Sequence, residues 1–340
     1  MGTVNASGRK FTNANTYTFS FSIRLWHLEG MKHIDFDAVH RLAGVGSLVE
    51  PLRRAFVSQT VNPERAEYDL GAPDRLRALL LMPSWQPDGD IGVKIVTVFP
   101  DNADRGLPSV NAAYVLLSGQ TGQPRVWIDG RALTLIRTAA VSALAADLMA
   151  PATPEVLLMV GTGALSRYFV EGHLAVRQYR SVLIWGRDSH KADAVVRDLS
   201  ARGWPVTAAP DLEAAARSAD VISCATLAQQ PLIRGRWLKS QCHLDLVGSF
   251  RPNMREADDD CMRGAFIAVD TRGALEASGD LSEPLARGVM TSAGIALLGE
   301  LIAAGRPVPR PPRTVFKAVG VALADLAVAQ QLIERSRTDA

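Results

Sequence analysis

The chain has 340 residues, 47 % of them apolar, which is enough for two domains or one large one with a substantial core. Its 37 basic and 35 acidic residues nearly cancel to a net charge of +2, leaving no basic stripe for nucleic acid or a membrane surface. The three cysteines, Cys224, Cys242 and Cys261, are odd in number and widely spaced, so neither a disulfide framework nor a zinc knuckle is expected, and a reduced, cytoplasmic setting fits.

Residues 1–30 are polar, rich in Asn, Thr and Ser, and lack the apolar core of a signal peptide. They read as a flexible tail or as a translation start placed too far upstream, with the ordered chain beginning near Met31. "FDAVHRLAGVGSLVEPLRRAFV" has apolar residues at helical spacing, in two pieces broken by Gly44 and Gly46. "RALLLMPSW" and "IGVKIVTVFP" are short β-rich runs bounded by Pro and Gly, and "AAYVLLSGQTGQPRVWIDG" is a hairpin pattern. "LTLIRTAAVSALAADLMA" is Ala-rich and strongly helical. Strict alternation follows: strand 156–160 and a helix, "SVLIWGR" and "SHKADAVVRDLSARG", "PVTAA" and "DLEAAARSAD", then strands at "VISCAT", "CHLDLVGS" and "AFIAVDT". Such alternation indicates a parallel, doubly wound sheet, a Rossmann-type domain over residues 135–305. The final "TVFKAVGVALADLAVAQQLIER" reads as one long amphipathic helix. The longest apolar runs, such as 155–160 and 293–298, are too short to span a bilayer.

The first strand of the alternating series ends in Gly161-Thr162-Gly163-Ala164-Leu165. A glycine turn opening a helix aims backbone N–H groups and the helix dipole at a pyrophosphate. Ser166 stands where the third glycine of the dinucleotide fingerprint belongs. That glycine serves helix–strand packing, which a small residue also allows; a ligand-free tight turn is the alternative. After the second strand, "WGRDSHK" places Arg187 where an NAD site carries an acid, with Ser189 and Lys191 as further donors to a 2′-phosphate. Asp188 would repel that phosphate. The balance favours NADPH over NADH, with a solvated turn charge as the alternative.

Charged residues in apolar company mark candidate chemistry. Lys94 lies inside an apolar strand, which is costly unless it meets an anion. Arg137 opens the Ala-rich helix, where the dipole disfavours a cation, so a carboxylate or phosphate would explain it. His33 and His40 could share a helix face, but no third ligand accompanies them and no metal is expected. The acids Asp258 to Asp260 read as a helix start.

Several segments together resemble the ornithine cyclodeaminase/mu-crystallin family: "GVKIVTVFPDN", "GLPSVNAAYVLLSGQTGQP", "IRTAAVSALAA", the GTG turn, "HLDLVGSFRPNMREAD", "VDTRGALEASGDL" and "TVFKAVGVALADLA". They run in the family's order over nearly everything after Met31. The resemblance implies a homodimer, and a second α/β domain for dimerisation and substrate made from residues 31–134 and 306–340. It implies a substrate clamp of Arg65, Lys94 and Arg137, although for Arg65 a solvated loop charge is an equal reading. It also places Ser109, Arg137, Thr138, Thr226, Val247, Gly248, Ala318 and Val319 at the cofactor, where ordinary turn and packing roles are the alternative. Phe250 stands where the cyclodeaminases carry an acid/base aspartate, and phenylalanine moves no proton. "GSFRPNMREAD" instead resembles the branch that reduces cyclic ketimines, the Δ1-pyrroline-2-carboxylate reductases. A protonated cyclic imine needs little beyond a positioned hydride and a carboxylate clamp. Lys94 is the expected catalytic residue, and L-proline and L-pipecolate are the expected products. The rivals are ornithine cyclodeamination with bound NAD and a non-catalytic NADPH-dependent binding protein.

Overall fold

The computed structural model describes residues 31–71, 77–305 and 313–338; the tail expected over 1–30 lies outside them. The first half builds a six-stranded sheet. Strand β1 (Lys32–Ile34) leads through helices α1 (Phe36–Leu42) and α2 (Val49–Phe56) into β2 (Ala66–Asp69), β3 (Ala78–Trp85), β4 (Ile91–Val98), β5 (Val110–Leu117) and β6 (Pro124–Asp129). The order is β1-β6-β5-β4-β3-β2, antiparallel except for β1 beside β6. His33 therefore sits on a strand and shares no helix face with His40, whose Nε2 meets the Tyr168 hydroxyl at 2.7 Å.

Helix α3 (Gly130–Met149) is capped by Asp129, whose carboxylate accepts from the Ala132 N–H. By length and composition α3 could cross a bilayer, but 83 % of its apolar stretch is buried inside the protein. Its alanines let neighbours approach from every side, and it packs against β5, α2, α4, α11 and two strands of the second sheet.

That second sheet has eight parallel strands. In chain order come β7 (Val156–Val160), α4 (Ser166–Val176), β8 (Ser181–Trp185), α5 (Ser189–Ser200), β9 (Val206–Ala208), α6 (Leu212–Ser218), β10 (Val221–Cys224) and β11 (Cys242–Leu246). There follow α7 (Asp259–Met262), β12 (Phe266–Val269), α8 (Ala274–Ala277), α9 (Gly279–Ala286), β13 (Ile295–Leu297), α10 (Leu298–Ala304), β14 (Arg313–Lys317) and α11 (Ala322–Thr338). The order β13-β12-β14-β11-β10-β7-β8-β9 reverses between β7 and β10, which is where a doubly wound sheet opens its ligand crevice.

The expected C-terminal helix is corrected in its first part. Residues 313–317 form a strand between β11 and β12, and the helix starts only at Ala322. Thr314, Val315 and Phe316 are β-branched or aromatic and buried, as a central parallel strand requires. Gly320, at φ +93°, then breaks the chain away. Grouped by sequence with the N-terminal half, these five residues instead belong to the eight-stranded sheet. Helix α11 returns to the first sheet and packs on β3 and β4.

Candidate active site

Lys94 is on β4, in a row with Met82 on β3 and Tyr114 on β5, all facing inward toward α11. Its ammonium is almost wholly enclosed and lies 2.7 Å from Asp325 Oδ2. The other oxygen of Asp325, Oδ1, accepts from Arg137 Nε at 3.0 Å. Asp325 is itself fully buried. One carboxylate thus serves two cations, one on each oxygen. Burial, and then the Arg137 charge, pull the Lys94 ammonium down from 10.5 to about 8, against the opposing pull of Asp325. The arginine's Nε is spent on Asp325, and its two terminal nitrogens lie against Gly320, each 3.2 Å from where a Cβ would stand.

A cavity of about 450 Å³ opens in front of this cluster. Arg65, Asn62 and Met82 from the first half line it together with Thr271, Val319 and Gly320. Lys94 and Arg137 stand behind this wall, through Met82 and Gly320. Arg65 reaches only a distant 4.0 Å pairing with Glu67, and its charge is felt at Lys94. A second cavity of about 380 Å³ adjoins at Arg65 and Ala277 and carries Phe250 on its wall.

The glycine turn sits at the sheet's switch point. Gly161 has φ +120°, and a Cβ there would come 2.6 Å from the Ala225 carbonyl oxygen, so the loops after β7 and β10 touch. Gly163 faces open space, and with exposed Ala164 and half-buried Leu165 it leaves the N-terminus of α4 approachable. Ser166 is buried, small enough for the packing that a third glycine serves, and its hydroxyl donates to the Gly163 carbonyl at 2.7 Å. At the end of β8, Gly186 is forced by Thr162, whose Cγ2 lies 2.6 Å from a Cβ built there. Arg187, Ser189 and Lys191 are exposed beside it. Asp188 is turned away as the N-cap of α5, accepting from the Lys191 N–H at 3.3 Å. This turn fits a dinucleotide: open glycine backbone, a free helix start and a cation at the ribose end.

Thr226 and Gly248 are held together by a residue that sequence reasoning missed. Glu256 is fully buried, and its Oε1 accepts from the Thr226 N–H and hydroxyl at 2.7 and 2.9 Å. Its Oε2 accepts from the N–H groups of Gly248 and Ser249 at 2.7 and 3.2 Å. Val247 lies half-buried in the same loop, and Ala318 is buried behind Val319. Ser109 turns its hydroxyl to the Pro100 carbonyl, and the Thr138 hydroxyl donates to Thr134 within its own helix. The signal for Asp325 was present: a lone acid in the apolar stretch "ALADLAVA" raises the same question as Lys94 in its strand.

Residues 36–339 match the ornithine cyclodeaminase/mu-crystallin family. The chain belongs to this family. Among curated relatives, a Delta(1)-pyrroline-2-carboxylate reductase of Colwellia psychrerythraea is 35 % identical, across 90 % of this chain and 99 % of its own. Among solved structures, the Delta(1)-pyrroline-2-carboxylate reductase of Thermococcus litoralis, in complex with NADH and L-proline, superposes with a TM-score of 0.85. It is 26 % identical and covers 91 % of this chain and 98 % of its own. An archaeal alanine dehydrogenase dimer with bound NAD gives a TM-score of 0.83 at 25 % identity, over 91 % of this chain and 97 % of its own.

Proposed function

We propose that the chain is an NAD(P)H-dependent ketimine reductase that converts Δ1-pyrroline-2-carboxylate to L-proline and the six-membered homologue to L-pipecolate. One observation carries the reading: two buried cations, Lys94 and Arg137, share the single carboxylate of Asp325 behind a cavity wall. The surplus positive charge is matched by one carboxylate on the substrate. Among the described residues the fork nitrogens of Arg137 make no hydrogen bond, which leaves them for a bidentate contact, and Lys94 adds a point charge beside it. Arg65 closes the cavity from the first half. The nicotinamide, when bound, supplies the hydride. Phe250 brings no proton-transfer group to its cavity, which argues against cyclodeamination.

The finer cofactor reading is NADPH. Arg187 makes no ion pair among the described residues, while Asp188 caps α5 and has its charge partly offset by Lys191 Nζ at 3.9 Å. The assembly we propose is a homodimer through the outer face of the six-stranded sheet. Leu81, Ile95 and Ala113 form one row across that face, and Pro83, Val93, Val115 and Trp127 form the next. Apart from Asp129, which continues the first row on β6, both rows are apolar where a solvated sheet face would be polar. A second copy presents the same face and covers it by two-fold symmetry. Three free, buried cysteines support the cytoplasm as the setting.

The test is direct. Purified protein is mixed with NADPH and the pyrroline carboxylate, and nicotinamide absorbance is followed. Oxidation with proline formed is the expected result. Ammonia released from ornithine without NADPH oxidation overturns the reading in favour of a cyclodeaminase, and tight NADPH binding without either turnover favours a binding protein.

A further inference from the structure

Strand β14 ends at Lys317, and the chain leaves the sheet before α11 begins at Ala322. The N–H groups of Val319 and Gly320, both half-buried, have no strand to pair with and need another acceptor. Asp270, buried at the end of β12, supplies it. Its Oδ2 accepts from the Gly320 N–H at 2.7 Å and from the Val319 N–H at 3.1 Å, and its Oδ1 accepts from Val319 at 3.2 Å. The Asp270 N–H donates in turn to the Lys317 carbonyl at 3.3 Å. Thr271 and Arg272 from one segment, and Val319 to Ala322 from the other, line the larger cavity, so Asp270 fastens two of its walls together. The same turn carries the Arg137 fork: Gly320 has φ +93°, and both terminal nitrogens of Arg137 lie 3.2 Å from where its Cβ would stand. Burial pushes the Asp270 carboxyl up, while the N–H groups of Gly320 and Val319, and the charges of Arg137 and Lys317, work against that. Asp270 makes no ion pair with Arg137, whose Nε is held by Asp325.

We propose that Asp270 is a positioning residue for the substrate carboxylate, acting at one remove by fixing the 319–320 turn on which the Arg137 guanidinium lies. The inference rests on the reading of Arg137 as the carboxylate clamp. An arginine stem has many rotamers, and a bidentate contact needs the guanidinium plane set before the ligand arrives. Asp325 holds one nitrogen at 3.0 Å, and a single contact leaves the fork free to swing about it. The Gly320 backbone, close to both terminal nitrogens, stops that swing. Glycine alone does not keep such a turn in one shape, because its backbone is the least restricted. Asp270 does so through the place of its oxygens: Oδ2 by itself serves both N–H groups. It is the reach of this side chain from β12, rather than its charge, that the turn reads.

Two substitutions separate reach from charge. Asp270→Glu keeps the charge and moves the oxygens by one methylene. Asp270→Asn keeps the reach without the charge, and its amide oxygen in the place of Oδ2 still accepts from both N–H groups. The full chain is titrated calorimetrically, in the presence of NADP⁺, with pyrrole-2-carboxylate, a planar ring carboxylate that has no C=N to reduce. The KM for the imine is measured beside it. Asp270→Glu is expected to weaken the analogue and raise KM on the order of tenfold, the loss of one charge-assisted contact at the fork, with kcat changed less. Asp270→Asn is expected to bind the analogue nearly as the native protein does. In an Arg137→Lys background, which has no fork, Asp270→Glu is expected to leave KM where Arg137→Lys alone puts it. The reverse order of the two variants, native affinity in Asp270→Glu, or a full further loss in the Arg137→Lys background each overturns the proposal. A folded Asp270→Asn protein with tenfold weaker binding does so alone, whether or not Asp270→Glu folds. A native protein that neither oxidises NADPH with the imine nor binds the analogue overturns the clamp reading itself, and this inference with it.

Discussion

The Lys94 ammonium is charged at neutral pH although its surroundings oppose the charge. Folded, it titrates near 8, against 10.5 for an ordinary lysine. Between those values the unfolded chain holds the extra proton, so this group's contribution to stability rises with pH across that window. Activity runs the other way, because an anionic substrate needs the charged form. The efficiency kcat/KM for the imine is expected to fall as pH rises through about 8. Lys94→Arg keeps its charge at every pH and is expected to lose that limb; a native profile flat across the window removes Lys94 as the titrating group. Lys94→Met is expected to fold and to bind NADPH, and to lose about 3–5 kcal/mol of transition-state stabilisation, hundreds-fold or more in kcat/KM. At the other end of the cofactor, Arg187→Asp is expected to turn preference toward NADH, since a carboxylate holds a ribose 2′-hydroxyl and repels a phosphate. An unchanged ratio of efficiencies with the two cofactors shows that Arg187 does not read the phosphate.

At the scale of elements, the site depends on how β14 hands over to α11. Gly320 is the joint: its left-handed backbone turns the chain, and its missing side chain leaves room for the Arg137 guanidinium. Gly320→Ala is expected to cost about 1–3 kcal/mol of stability through the backbone alone and to displace Arg137. Chemical denaturation reads the first effect and a raised KM for the imine the second; an unaltered KM would mean that Arg137 does not face the substrate. The same joint marks where sequence reasoning lost the thread. The periodicity of "ALADLAVAQQLIER" is helical, and the preceding "TVFK" was absorbed into it because a short apolar run fits either state. Its place between β11 and β12 is decided by partners distant in the chain, such as His243 and Phe266 on either side of Thr314. Lys94 and Arg137 were legible because each sat in the wrong company locally. Their shared partner was not, since Asp325 meets Arg137 across 188 residues of chain and no local pattern joins them. Glu256 was hidden for a related reason: inside "MREAD" it reads as a solvated acid, and only the fold turns it inward.

At the scale of the whole molecule, the outer face of the six-stranded sheet makes the assembly testable. Val115 lies between Val93 and Trp127 near the middle of that face. If the proposed dimer forms through this face, Val115→Glu would bring like charges together across its two-fold axis, and light scattering is expected to report dimers for the native chain and monomers for the variant. A variant that remains dimeric places the interface elsewhere.

The position of β14 also fixes an order of events during synthesis. The ribosome delivers β11 and β12 well before the strand that belongs between them, and until then each presents a bare row of N–H and C=O groups. Neither half of the protein can close early: the eight-stranded sheet lacks an inner strand, and Lys94 and Arg137 have no anion between them. The segment from β14 to α11 completes both at once. A chain stopped at residue 312 is therefore expected to leave two open edges and an uncompensated pair of charges, and to sediment as aggregate when its soluble fraction is compared with that of the longer chain.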